Sequence, residues 1–209
     1  MKEKKDYTRD LAEIRSMMER SSKFLSLSGR AGIMAGIYAL AGAYIAFAVF
    51  HFNPDRVLAY ADATTGSIHA ISSEVILLAV SVFVLALVTA VYLSNKNATE
   101  RGEKLWNSTS RQLLADVTVP FLTSVAAILI LISHNLIGLL APFCLLFYGL
   151  ALHSAGKFTF KEIRILGLVQ IVLGLFSAYF VEYGLVCWAL GFGVAHIIYG
   201  IYMHYKYER

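Results

Sequence analysis

The chain has 209 residues, 58% of them hydrophobic and only 15% charged, with a mean hydropathy of +0.64 and a formal net charge of +4. Globular domains run nearer to roughly half apolar and a quarter charged, so this composition excludes an ordinary water-soluble domain and requires lipid as part of the solvent. The basic excess sits in the loops between apolar runs instead of forming one patch, which argues against a nucleic-acid partner.

Residues 8 to 28 predict an amphipathic helix. Leu11, Ile14, Met17, Met18, Phe24 and Leu25 share one helical face, with Arg15, Glu19, Arg20 and Lys23 mostly opposite. Such a helix suits the inner leaflet, its apolar face buried and its cations near anionic headgroups. A partner-binding or dimerising helix is the alternative reading. Residues 1–30 therefore form a cytoplasmic amphipathic segment with no early apolar stretch of the secretory kind.

The first span is Ala31 to Phe50, which carries no Asp, Glu, Lys or Arg. At about 1.5 Å per residue it matches a hydrocarbon core of about 30 Å. A polar loop follows with His51, Asp55, Arg56, Asp62, His69 and Glu74, and then a second uncharged span over 75–93. The next loop is basic and part helical, with Trp106 placed for the interface. Two shorter apolar runs, 117–132 and 136–152, flank Ser133-His134-Asn135 and predict a tight transmembrane hairpin; a re-entrant pair is the alternative. Pro120 lies near the start of the first run, and Pro142, inside the second, predicts a kink. After the cations of 154–164 come two last spans, 165–181 and 183–203, turning at Glu182, and a cytoplasmic tail at 205–209.

The expected fold is an all-α, polytopic six-helix transmembrane bundle, residues 31–204, with an amphipathic interfacial helix ahead of it. Charge supports the parity. Of the 18 Lys and Arg, Arg56 alone falls outside, whereas Asp55, Asp62, Glu74 and Glu182 all do. By the positive-inside rule both termini are cytoplasmic.

Small residues at helical spacing predict where helices touch, since association in lipid depends on close packing and hydrogen bonds. Gly32 and Gly36 form a G-x-x-x-G, and Gly167/Gly174, Gly184/Gly191 and Gly193/Gly200 are heptad-spaced. These faces pack within the chain or, alternatively, form a homo-oligomer. Tyr179, Tyr183 and Trp188 suit an outer aromatic belt, and Tyr199, Tyr202, Tyr205 and Tyr207 an inner one.

No Asp, Glu, Lys or Arg lies well inside a span, which disfavours a proton-coupled pump or a voltage sensor. The polar residues that remain there are Gln170 and His196. Folding the last two spans about Glu182 puts them at nearly equal depth, where a Gln–His hydrogen bond would satisfy both. A functional polar site is the second reading of the same pair. The outer ends gather His51, His69, Glu74, His134 and Glu182, whose imidazole and carboxylate groups could ligate zinc, although no short metal motif spaces them. Wetted loop residues are the plainer reading. A haem would need two His on different helices at one depth, and His153 and His204 lie near cytoplasmic ends. Cys144 and Cys187 sit in separate runs without C-x-x-C spacing. There is no G-x-S-x-G, no H-E-x-x-H and no phosphate-cradling glycine loop, so no motif names a reaction or a cofactor.

The run from Glu19 to Gly29, continuing into Ala-Gly-Ile-x-Ala-Gly-Ile-Tyr, resembles the opening of uncharacterised bacterial multi-pass membrane proteins. The resemblance covers about a fifth of the chain. It implies a bacterial inner-membrane setting and no activity. Two functions are then expected. One is a membrane module that binds or passes a small neutral or apolar ligand through an apolar cavity, or scaffolds a partner. The other is a membrane enzyme or metal protein built on the outer His/Glu cluster.

Overall fold

A computed structural model describes residues 28–52, 73–100, 102 and 106–208. The predicted interfacial helix at 8–28 lies almost wholly outside the described residues, as does His69. All regular structure among the described residues is helical. Among the described residues six helices are long and apolar enough to cross a membrane: α1 (Gly29–Ala48), α2 (Ser73–Glu100), α3 (Ser108–Ser133), α4 (Ile137–Ala155), α5 (Lys161–Tyr179) and α6 (Val181–Glu208). The protein is a multi-pass, all-helical membrane protein.

The helices outrun the apolar stretches that announced them, because polar caps and charged turns extend helices beyond the lipid. α3 begins at Ser108, not near Val117, because Asn107 and Ser110 form a reciprocal capping box. Asn107 Oδ1 accepts from the Ser110 backbone N–H at 2.8 Å, and Ser110 Oγ accepts from the Asn107 N–H at 2.9 Å. With 26 residues in α3 and 19 in α4, both halves of the hairpin reach across a bilayer. The early start leaves Pro120 inside α3, where the Asp116 carbonyl loses its usual backbone donor. The kink expected at Pro142 is replaced by a helix start. A 3-10 turn over Ile137–Leu139 leads into the α-helical Leu140–Ala155, so Pro142 falls in the first turn, where a missing N–H is tolerated.

α1 lies between α2 and α6, α4 lies between α3 and α5, and α6 packs on α1, α4 and α5. One-third of the apolar window is buried in α1, α4, α5 and α6 (33% each), against 6% in α2 and α3. Four helices therefore make the core and two flank it, meeting at the stacked rings of Phe83 and Phe121 with centroids 6.1 Å apart.

The glycine faces are used inside the chain. A Cβ on Gly200 would stand 2.5 Å from the Gly29 carbonyl oxygen, so α1 and α6 touch backbone to backbone. A Cβ on Gly149 or Gly167 would likewise stand 2.7 Å from the other's carbonyl oxygen, which closes α4 on α5.

Residues 205–208 of the expected tail belong to the last turn of α6, which grips two helix starts. Glu208 Oε1 accepts from the Gly29 N–H of α1 at 2.7 Å and from Asn97 Nδ2 of α2 at 3.0 Å, and His204 Nδ1 lies 2.6 Å from Glu208 Oε2. Lys206 Nζ donates to Glu162 Oε1 of α5 at 2.6 Å, and the Tyr207 hydroxyl donates to the same oxygen at 3.1 Å. Both carboxylates thus stand at the positive ends of helix dipoles.

Candidate polar node within the bundle

α6 changes its winding along its length, and its last turn, His204–Glu208, is also π-helical. Ala189–Ala195, ALGFGVA, is π-helical between the α-helical Gly184–Trp188 and His196–Met203. Two glycines in this short stretch lower the cost of departing from α geometry. At its end the His196 backbone N–H bonds the Gly193 carbonyl. The Gly191 carbonyl is then met by side chains. Gln170 Nε2 of α5 donates to it at 2.7 Å, and His196 Nδ1 lies 2.9 Å from it. A carbonyl oxygen has two lone pairs, and two side chains engage them. π-wound turns of this kind recur at functional sites.

The hydrogen positions follow from the acceptors. A carbonyl can only accept, so Nδ1 of a neutral His196 carries the proton and Nε2 is the acceptor. The Tyr148 hydroxyl of α4, 2.9 Å from Nε2, is therefore the donor. The chain of bonds runs Tyr148 → His196 → Gly191 ← Gln170 and ties α4, α5 and α6 at one point. Gln170 is fully buried and His196 is 6% exposed.

Gln170 Oε1 has no hydrogen-bond partner among the described residues. A Cβ on Gly191 would stand 2.5 Å from it. Only a glycine leaves room for the oxygen at that position. Gly191 serves twice, by its carbonyl and by its missing side chain.

Rings line one side of the node. Tyr148 packs on Phe192 at 5.0 Å between centroids and on His196 at 5.5 Å, and Trp188 packs on Phe192 at 5.2 Å. Trp188, Phe192 and Tyr148 all stay half-buried. Trp188, expected in the outer belt, belongs to this wall.

Of the residues singled out from sequence, Gln170 and His196 converge, through a shared acceptor in place of the direct bond anticipated. Tyr148 and Gly191 were not singled out. Tyr148 stands as many residues before Ala155, the end of its helix, as His196 stands before Met203. A phenol hydroxyl at that depth needs a partner, and equal depth was the signal that could have found it. Nothing in the sequence marks Gly191 apart from the other glycines, because its role depends on π-winding.

At the opposite end of α6 from Glu208, His51, Glu74, His134 and Glu182 are all exposed. His51 and Asn135 adopt left-handed backbone, with φ of 49° and 56°. No three His, Cys, Asp or Glu side chains converge as a metal site among the described residues. Both ring nitrogens of His196 are engaged in hydrogen bonds. Compared with known protein families, with curated proteins and with solved structures, the chain shows no match.

Proposed function

We propose that this is a protein of the bacterial inner membrane, with both termini cytoplasmic, that binds or passes a small neutral or apolar ligand at the Tyr148–His196–Gly191–Gln170 node. The observation that carries the reading is the node itself. Side chains from three helices form one hydrogen-bond chain that ends on a π-wound turn, in a bundle interior where polar groups are costly and tend to be functional. The lack of formal charge within the spans supports a neutral ligand. The confinement of cations to one set of loops, Arg56 excepted, supports the orientation. The lipid bilayer is the medium through which such a ligand arrives.

Native mass spectrometry of the full chain, released gently from its own membranes, tests this. The wild-type protein is expected to carry a small-molecule mass surplus that the His196→Phe variant lacks. A clean apoprotein mass, monomeric or dimeric, would overturn the reading in favour of a scaffold. A surplus retained in full by the variant would move the ligand away from the node.

A further inference from the structure

The hydrogen-bond chain at the node restricts the ligand that it can accept. Resting on the reading of this node as a binding site, we infer that its ligand is a neutral, lipid-soluble aromatic molecule bearing a ring hydroxyl, such as a phenol, naphthol or quinol. Nδ1 of His196 is committed to the Gly191 carbonyl at 2.9 Å, and Nε2 accepts from the Tyr148 hydroxyl at 2.9 Å. Gln170 Nε2 donates one of its two hydrogens to the same carbonyl at 2.7 Å, and the side chain is fully buried. The Tyr148 hydroxyl has then spent its only proton and keeps acceptor capacity on its oxygen. No other hydrogen bond engages that oxygen among the described residues.

At the Tyr148 hydroxyl, a ligand that offers only acceptors, such as a quinone, ketone or ether, finds no donor unless Tyr148 turns away and leaves His196 Nε2 buried without a partner. A ligand that brings its own O–H completes the chain as ligand → Tyr148 → His196 → Gly191. Each bond in such a chain polarises the next. The rest of the preference comes from the wall. Tyr148, Phe192 and Trp188 pack in sequence as tilted rings with centroids 5.0 and 5.2 Å apart, and all three are half-buried, an aromatic surface suited to another ring. The uncharged surroundings favour a neutral molecule that partitions into lipid.

The test compares 1-naphthol with 1-methoxynaphthalene, which share the ring and differ in the donor. Binding is read by equilibrium dialysis against the full-length protein in nanodiscs, with empty nanodiscs setting the partitioning background. Wild-type protein is expected to bind the naphthol about fivefold more tightly than the ether, the worth of one ordinary hydrogen bond. Tyr148→Phe is expected to abolish that preference, and a far-ultraviolet circular dichroism spectrum matching the wild type's reports that the variant is folded. Equal binding of the two probes to the wild type, or a preference that survives in Tyr148→Phe, overturns the hydroxyl inference and leaves the binding-site reading standing. Binding of neither probe above empty nanodiscs overturns both. The wild-type comparison decides the matter even where the variant does not fold.

Discussion

At the residue scale, the Gly191 carbonyl is the point where three helices are joined. Replacing Gln170 by Leu removes one of its two side-chain donors, and His196→Phe removes the other. Each is expected to cost about 0.6–2 kcal/mol, the range for interhelical hydrogen bonds in membranes. The double variant is expected to cost more than the two singles together, because only it strips the carbonyl of both side-chain donors. A double-mutant cycle of unfolding free energies in detergent measures the coupling; strict additivity would show that the bonds are not linked. Gly191→Ala sets a methyl 2.5 Å from Gln170 Oε1 and 2.6 Å from Leu145 Cδ2. It is expected to destabilise by about 1–3 kcal/mol through overpacking, visible as a lower midpoint in the same unfolding assay. The chemistry of the pair Gln170 and His196 was legible from their residue type and depth. Their shared acceptor was not, since it depends on how α6 winds.

At the element scale, α1 is held by two different means. Along its length it lies backbone to backbone on α6, where the Gly29 carbonyl leaves no room for a side chain at position 200. At its start the Glu208 carboxylate caps the Gly29 N–H at 2.7 Å. Gly200→Leu must push the two helices apart and is expected to lower the melting temperature in detergent far more than any substitution on the lipid-facing side of α2. Glu208→Gln keeps an acceptor for Gly29 but loses the charge that complements the helix dipole and His204. A loss of about 0.3–1 kcal/mol is expected, smaller at high salt because the dipole interaction is screened. Unchanged stability at low salt would remove the clasp from the account. The G-x-x-x-G at Gly32 and Gly36 announced a contact face, but not its partner, because the spacing states only that a backbone can come close.

At the scale of the whole molecule, charge placement and fold meet in one topology. In a background of Cys144→Ala and Cys187→Ala, single cysteines at Ser108 and Ser133, both exposed, stand at opposite ends of α3. A membrane-impermeant maleimide added to spheroplasts is expected to label Ser133→Cys at once and Ser108→Cys only after permeabilisation. The reverse pattern would invert the orientation. Replacing His51, His69 and His134 together by Ala is expected to leave ligand binding intact, measured as the mass surplus of the extracted protein. Its loss would revive a metal or enzymatic role for the outer ends.

The class of the protein and the number of membrane-length helices among the described residues follow from the sequence alone. An uncharged run as long as the hydrocarbon is thick must satisfy its own backbone hydrogen bonds, and a helix does so without any partner. The sequence did not determine which helices form the core. The spans are apolar nearly all round, and lipid is as apolar as Leu, so hydropathy does not say which face turns inward. Tertiary packing placed α2 and α3 at the flank, drew α1 and α6 together at glycine, turned Gln170 and His196 toward one carbonyl and set Tyr148 on His196. Those outcomes depend on helix rotation and on the π-winding of Ala189–Ala195. Packing decides these, and no residue pattern along the chain encodes them.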